Sequence, residues 1–97
     1  MRIELLAQAE QDLIEGYYFY ERQVENLGEY FLDSLLSDID SLEFYAGIHS
    51  KHFGYHRLLA TKFPYAVYYT VEEEVVQVYA VLDCRKDPEQ TKERLNE

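Results

Sequence analysis

The spacing of apolar residues along this chain changes period from helical to alternating, and that change separates two kinds of element. Ile3, Leu5 and Leu6 suit a short opening strand over residues 1–6. From about Gln8, Leu13, Tyr17, Tyr20 and Val24 recur at helical spacing, while Glu10, Gln11, Asp12 and Glu15 fill polar positions in the early turns. Carboxylates there complement the positive end of a helix dipole. Gly16 inside this helix costs roughly 1 kcal/mol relative to Ala, so packing must carry the element. Asn26-Leu27-Gly28 predicts a break. Beyond it Phe31, Leu32, Leu35, Leu36, Ile39, Leu42 and Ala46 form one stripe, with Asp33, Ser34, Ser37, Asp38, Asp40 and Ser41 on the opposite face. Two amphipathic helices in succession with a short connection predict an antiparallel hairpin.

Gly47 to Tyr55 reads as a loop, and after it the period becomes two. Arg57–Thr61 is a strand candidate, and Lys62-Phe63-Pro64 is a turn. Tyr65, Val67, Tyr69 and Val71 then alternate with Ala66, Tyr68 and Thr70. After a turn at Glu72-Glu73-Glu74, Val76, Val78, Ala80 and Leu82 alternate with Val75, Gln77, Tyr79 and Val81. β-branched and aromatic residues at this spacing predict a three-stranded antiparallel meander. Asp87-Pro88-Glu89 has the form of a helix start, Asp as cap and Pro at the first helical position, with a charged tail to Glu97. The fold class is α+β, as one domain over residues 1–97.

Both alternating sets of the meander are largely apolar or aromatic. One set can bury against the helix hairpin. The other carries more Tyr and Val than a monomer shows to water, so a partner is expected to cover it. Tyr65, Val67, Tyr79 and Val81 are the residues expected at that surface.

Composition agrees with a packed domain: 47% of the 97 residues are hydrophobic and ten are Tyr. No apolar run reaches the roughly 20 residues that a membrane-spanning helix needs. The single cysteine, Cys84, cannot form an internal disulfide, which suits a reducing cytoplasm. Nine Lys and Arg stand against nineteen Asp and Glu, a formal net charge of −10. Broad nucleic-acid binding rests on clustered cations that neutralise phosphates, so this balance argues against it.

The runs Tyr55-His56-Arg57-Leu58-Leu59, Lys62-Phe63-Pro64-Tyr65-Ala66-Val67-Tyr68-Tyr69, Val75–Leu82 and Arg85-Lys86-Asp87-Pro88 resemble the C-terminal half of the RelE/ParE toxin superfamily of bacterial type II toxin–antitoxin systems. Ala9, Leu13, Tyr17 and Tyr18 resemble its first helix. The order strand, helix, helix, meander is that superfamily's order. The resemblance implies a cytoplasmic toxin held neutral by a cognate antitoxin that shields apolar surface, as a homodimer or in a toxin–antitoxin hetero-oligomer. ParE-like members act on DNA gyrase and RelE-like members cut messenger RNA on the ribosome.

RelE-like cleavage needs cations at the scissile phosphate with a proton donor and acceptor. Arg85 matches the family's basic strand exit, and Arg57 replaces a first-strand cation. The family's mid-sheet Arg falls on Ala66, however, and its tail Tyr falls near Thr91. Those two departures favour the ParE-like branch, with a RelE-like endoribonuclease as the alternative and a non-toxic interaction module as a third. Arg57, Lys62, Arg85 and Lys86 are the candidate basic patch, with Arg57, Arg85 and His56 as the candidate catalytic set. His49, His52 and His56 fall three and four apart, but Gly47, Ser50 and Gly54 interrupt a helix there, so they read as incidental loop residues and not as a metal site. No cofactor is expected.

Overall fold

The computed structural model describes residues 1–96; Glu97, the end of the expected tail, lies outside the described residues. The elements run β1 (Arg2–Leu5), α1 (Ala7–Glu21), α2 (Leu27–Asp40), α3 (Leu42–Tyr45), β2 (Lys51–His52), β3 (Tyr55–Leu59), β4 (Tyr65–Glu72), β5 (Val75–Asp83) and α4 (Pro88–Leu95). They build a five-stranded sheet in the order β1-β5-β4-β3-β2. The expected meander is β3-β4-β5, antiparallel throughout. β1 joins it in parallel on β5, with Arg2 opposite Val75 and Leu5 opposite Val78. β2, inside the segment expected to be a loop, adds a two-residue antiparallel edge to β3.

The helix hairpin forms because its glycines allow two helices to touch. A Cβ on Gly16 would sit 2.5 Å from the Phe31 ring, and one on Gly28 would sit 2.5 Å from the Tyr17 carbonyl oxygen. Glycine's cost in a helix is thus offset by close approach. The Glu21 carboxylate accepts from the backbone N–H groups of Asn26 and Gly28, each at 3.0 Å, and so satisfies free donors at the start of α2. The stripe expected to run unbroken to Ala46 is interrupted at Ser41, whose hydroxyl donates to the Asp38 carbonyl at 2.6 Å. Leu42 remains fully buried, while Ala46 packs against the core from beyond the end of α3. Val24, expected in the first stripe, lies past the end of α1 and is exposed.

The main core lies between the hairpin and one face of the sheet, with Phe31, Leu35, Leu42, Val67, Tyr69, Val76 and Val78 at its centre. Tyr20, Phe31, Phe63 and Tyr65 form an aromatic belt at one end, with ring centroids 4.9 to 6.2 Å apart. Phe63 of the Phe63-Pro64-Tyr65 turn therefore packs onto the hairpin.

The expected partner-covered surface needs correcting. The ladder opposes Tyr68 to Ala80 but Tyr69 to Val78, so Tyr79 is an extra residue, a β-bulge. The bulge shifts the alternation of β5 by one residue. Val76 and Val78 face the hairpin core, and after the bulge Val81 does so in place of Ala80 and Leu82. Tyr65 (8% exposed), Val67 (0%) and Val81 (2%) all belong to that core. The opposite face carries Ala66, Tyr68 and Ala80, with Tyr55 and Leu82 packed beside them, and Leu95 of α4 covers it. The apolar second face is therefore covered in large part by the chain's own C-terminal helix.

α4 starts as expected: the Asp87 carboxylate accepts from the Glu89 N–H at 2.9 Å, and Pro88 follows the cap. It is held by an interaction that spacing did not reveal. Asp12, read above as a polar early-turn residue, is only 9% exposed. It accepts two hydrogen bonds from Arg94, each 2.7 Å, and one from the Val81 N–H at 2.9 Å. Burial pushes its carboxyl pKa up, and Arg94 and the Val81 N–H hold that rise back. Removing one partner of a buried pair leaves the other charge uncompensated. Arg94→Ala is expected to lower unfolding stability by about 3–5 kcal/mol, read by urea titration. Asp12→Asn, which keeps an acceptor for Val81, should cost less.

Candidate functional site

The cations, unlike the carboxylates, are concentrated in one half of the chain. Between Ile3 and Ser50 the sequence holds one cation, Arg22, and the helices over this stretch carry carboxylates from Glu10 to Glu43. The other cations, apart from Arg2, lie from Lys51 onward, on the sheet and the C-terminal segment.

The candidate residues of that half do not converge. Lys62 sits 5.3 Å from the centre of the Tyr30 ring, over the start of α2. Arg85 lies beside the same layer: it pairs with Asp83 at 2.8 Å and donates to the Tyr20 hydroxyl at 3.3 Å. Asp83 in turn is held below the usual carboxylate range, chiefly by its hydrogen bond from Arg85. Arg57 leaves β3 on the opposite face, across the ladder from Tyr68, where its charge acts on the Tyr68 hydroxyl and on Cys84. Partial desolvation pushes the Cys84 thiol up, away from a reactive thiolate, although the residue as a whole is exposed.

His56 stands apart from both arginines. It pairs with Tyr69 in the β3–β4 ladder and its ring stacks on Tyr69 at 5.1 Å. Arg85 follows Asp83, which pairs with Tyr65 at the other end of β4. Four residues of strand, about 13 Å, separate those two positions. Ala66, at the position where the nuclease branch carries Arg, is fully buried under α4. Thr91, near the position of the tail Tyr, is half-buried on α4. Among the described residues no group of three His, Cys, Asp or Glu side chains is placed to hold a metal ion.

One concavity lies beside α1 and mixes apolar with charged residues. A cleft of about 540 Å3 runs along α1, walled by Ile14, Tyr18 and Phe19 and by Leu82 and Lys86, with Tyr65 and Val81 showing at its floor. Tyr18 and Phe19 are 53% and 45% exposed, a large apolar surface for two neighbouring helix residues. Arg22, Asp83 and the Asp12–Arg94 pair complete its rim. Tyr79, the fourth residue expected at a partner surface, lies instead in a smaller cavity of about 290 Å3 with Tyr55, Leu6 and Leu95. Tyr20 of the expected stripe is buried, while Tyr18 and Phe19 form an exposed ridge on α1. The signal missed was Asp12, which sits three residues after Ala9 and four before Gly16, on the stripe that turns inward.

Tyr65 at the cleft floor gives a pH test. Burial, then the neighbouring Tyr20 and Asp83, push its hydroxyl pKa up to about 12 from 10.0. The folded state therefore holds a proton that the unfolded chain has already lost. Stability from this group is complete below about pH 10 and falls by about 2–3 kcal/mol as pH rises toward 12. Chemical denaturation across that window should show the fall, and Tyr65→Phe should remove this part of it.

No protein-family model matches the sequence. No curated protein matches it either. Among solved structures, a chain of the chromosomal ParDE TA system from P. aeruginosa superposes with a TM-score of 0.76 at 17% identity, over 84% of this chain and 92% of that one. Among the described residues no helix is long and apolar enough to cross a membrane. The chain has the α+β RelE/ParE-like fold.

Proposed function

We propose that this chain is the toxin of a type II toxin–antitoxin pair, a one-domain cytoplasmic protein that arrests growth by binding a protein target such as DNA gyrase. A cognate antitoxin holds it neutral by laying an apolar segment in the cleft beside α1, against Ile14, Tyr18 and Phe19. The shared fold with a ParDE chain supports the toxin assignment, although a fold alone hosts many functions.

The observation that carries the choice of branch is the dispersal of Arg57, His56 and Arg85 over two faces and two ends of the sheet. RNA cleavage by these groups requires a cation and a proton-transfer residue around one phosphate. Protein binding requires neither. The acidic helical layer supports the same choice, because it would repel a nucleic-acid backbone.

Expression without the antitoxin encoded beside it is expected to stop growth, and co-expression should restore it. The purified protein should inhibit gyrase supercoiling and leave messenger RNA intact in a translating extract. Cleavage in that extract would replace this reading with the ribonuclease one, and harmless expression would leave an interaction module. Phe19→Asp should weaken antitoxin binding by about 2 kcal/mol or more by calorimetry. Arg57→Glu with Arg85→Glu should abolish growth arrest while melting stays near that of the parent, since the Arg85 side chain is 57% exposed.

A further inference from the structure

The geometry points to a proton-operated latch at the sheet edge: neutral His49 accepts the Tyr69 hydroxyl proton and holds the segment from Gly47 to His52 in place, and protonated His49 releases it. This inference is independent of the toxin reading.

Tyr69 is fully buried in the core, and its hydroxyl is the anchor of that segment. The hydroxyl accepts from the Gly47 N–H at 3.0 Å, and the His49 N–H also faces it. A phenol oxygen offers two lone pairs and one proton. With backbone donors on the oxygen, the group left to meet His49 Nδ1 is the hydroxyl proton itself. Nδ1 is then an acceptor, and the tautomer assigned from this partner count carries its proton on Nε2.

His56 closes the arrangement from β3. Its Nδ1 lies 2.6 Å from the His49 carbonyl, which can only accept, so His56 Nδ1 carries a proton in either charge state. Its ring stacks on Tyr69 at 5.1 Å. The titratable groups facing His49 are thus His56 from β3 and Tyr69 from β4. Its own segment adds Lys51 and His52, the latter 3.3 Å from the Ser50 hydroxyl. Among the described residues no carboxylate bonds to either imidazole. A proton on His49 would therefore set a donor against a donor and place a charge without a counter-ion beside His56. Burial, and then His56, hold the His49 pKa below its ordinary 6.5 in agreement with this. The latch is closed above that ordinary value and opens as pH falls through the folded one.

The rest of the segment is built to let go. β2 holds β3 by two residue pairs, Lys51 with His56 and His52 with Tyr55, and by the Arg57 N–H donating to the Ser50 carbonyl at 3.0 Å. Gly47 (φ +91°) and Gly54 (φ +87°) bracket it in open space. Once β2 leaves, the outer edge of β3 presents unpaired backbone groups, the surface on which another strand can add.

Hydrogen exchange read by NMR on the full chain, between about pH 7.5 and 5, tests the latch. Protection at the Gly47 and Arg57 amides should be lost as pH falls, while Val67 and Val78 in the sheet centre stay protected. His49→Gln supplies an uncharged acceptor and should keep both amides protected throughout. Unchanged wild-type protection, or the same loss in His49→Gln, would overturn the proposal. Should that variant not fold, the imidazole nitrogen shifts of the wild type decide. An unprotonated Nδ1 on His49 at the higher pH supports the latch, and a protonated one refutes it.

Discussion

One buried carboxylate, Asp12, sets the relation between the three parts of this fold. β1 ends at Leu5, opposite Val78, so the outer edge of β5 loses its neighbour three residues before Val81. A backbone N–H left unpaired there would carry the full cost of desolvation. α1 begins immediately after β1, and its second turn brings Asp12 against that edge, where the carboxylate takes the Val81 N–H. Burying the acid creates a second problem, which Arg94 answers with a two-pronged pair. The strand edge thus requires the acid, the acid requires the arginine, and the arginine fixes α4 on the far face. Leu95, the next residue, then covers Ala66, Tyr68 and Ala80, and its carbonyl accepts from the Tyr55 hydroxyl at 3.1 Å.

The family-like residues take on a different meaning within this frame. Phe63, Pro64 and Tyr65 are a packing device: Phe63 and Tyr65 lie against Tyr20 and Phe31, the pair brought together by the missing side chain of Gly16. The Asp38 carboxylate ties the end of α2 to the same turn by accepting from the Thr61 N–H at 3.0 Å. Tyr20, part of that belt, is also a partner of Arg85. A motif that resembles the family's therefore owes much of its composition to holding the hairpin on the sheet, and it does not by itself mark a reaction centre.

Local pattern made most elements legible. The alternation from Tyr65 onward, the stripe from Phe31 to Leu42 and the Asp87-Pro88 start each depend on neighbours within a few residues, and each is present. What local pattern could not reveal was set across the fold. The bulge at Tyr79 reverses which half of β5 faces the hairpin, and nothing in Val-Tyr-Ala-Val-Leu distinguishes a regular strand from a bulged one. Val81 is misplaced for that reason, whereas for Tyr65 and Val67 the pattern could not say which of the two apolar sets of β4 meets the hairpin. Asp12 looked like a helix-dipole acid because its partners, Val81 and Arg94, are 69 and 82 residues away. β2 escaped notice because a two-residue edge strand takes its identity from β3.

The same non-local geometry decides what kind of site the molecule offers. Arg57, Lys62 and Arg85 sit close enough in the sequence pattern to suggest one patch, but a strand sends successive side chains to opposite faces. The pleat therefore puts Arg57 beside Tyr68 and His56 beside Tyr69, back to back through the sheet. Arg85 is already engaged by Asp83 and Tyr20. Lys62 and Arg85 are thus each met by the chain's own tyrosines or carboxylates. Part of its exposed apolar surface is the aromatic wall of α1, where Tyr18 and Phe19 stand open because Leu13, Gly16 and Tyr20 already fill the inward face. Recognition by such a surface would depend on shape and apolar area more than on charge.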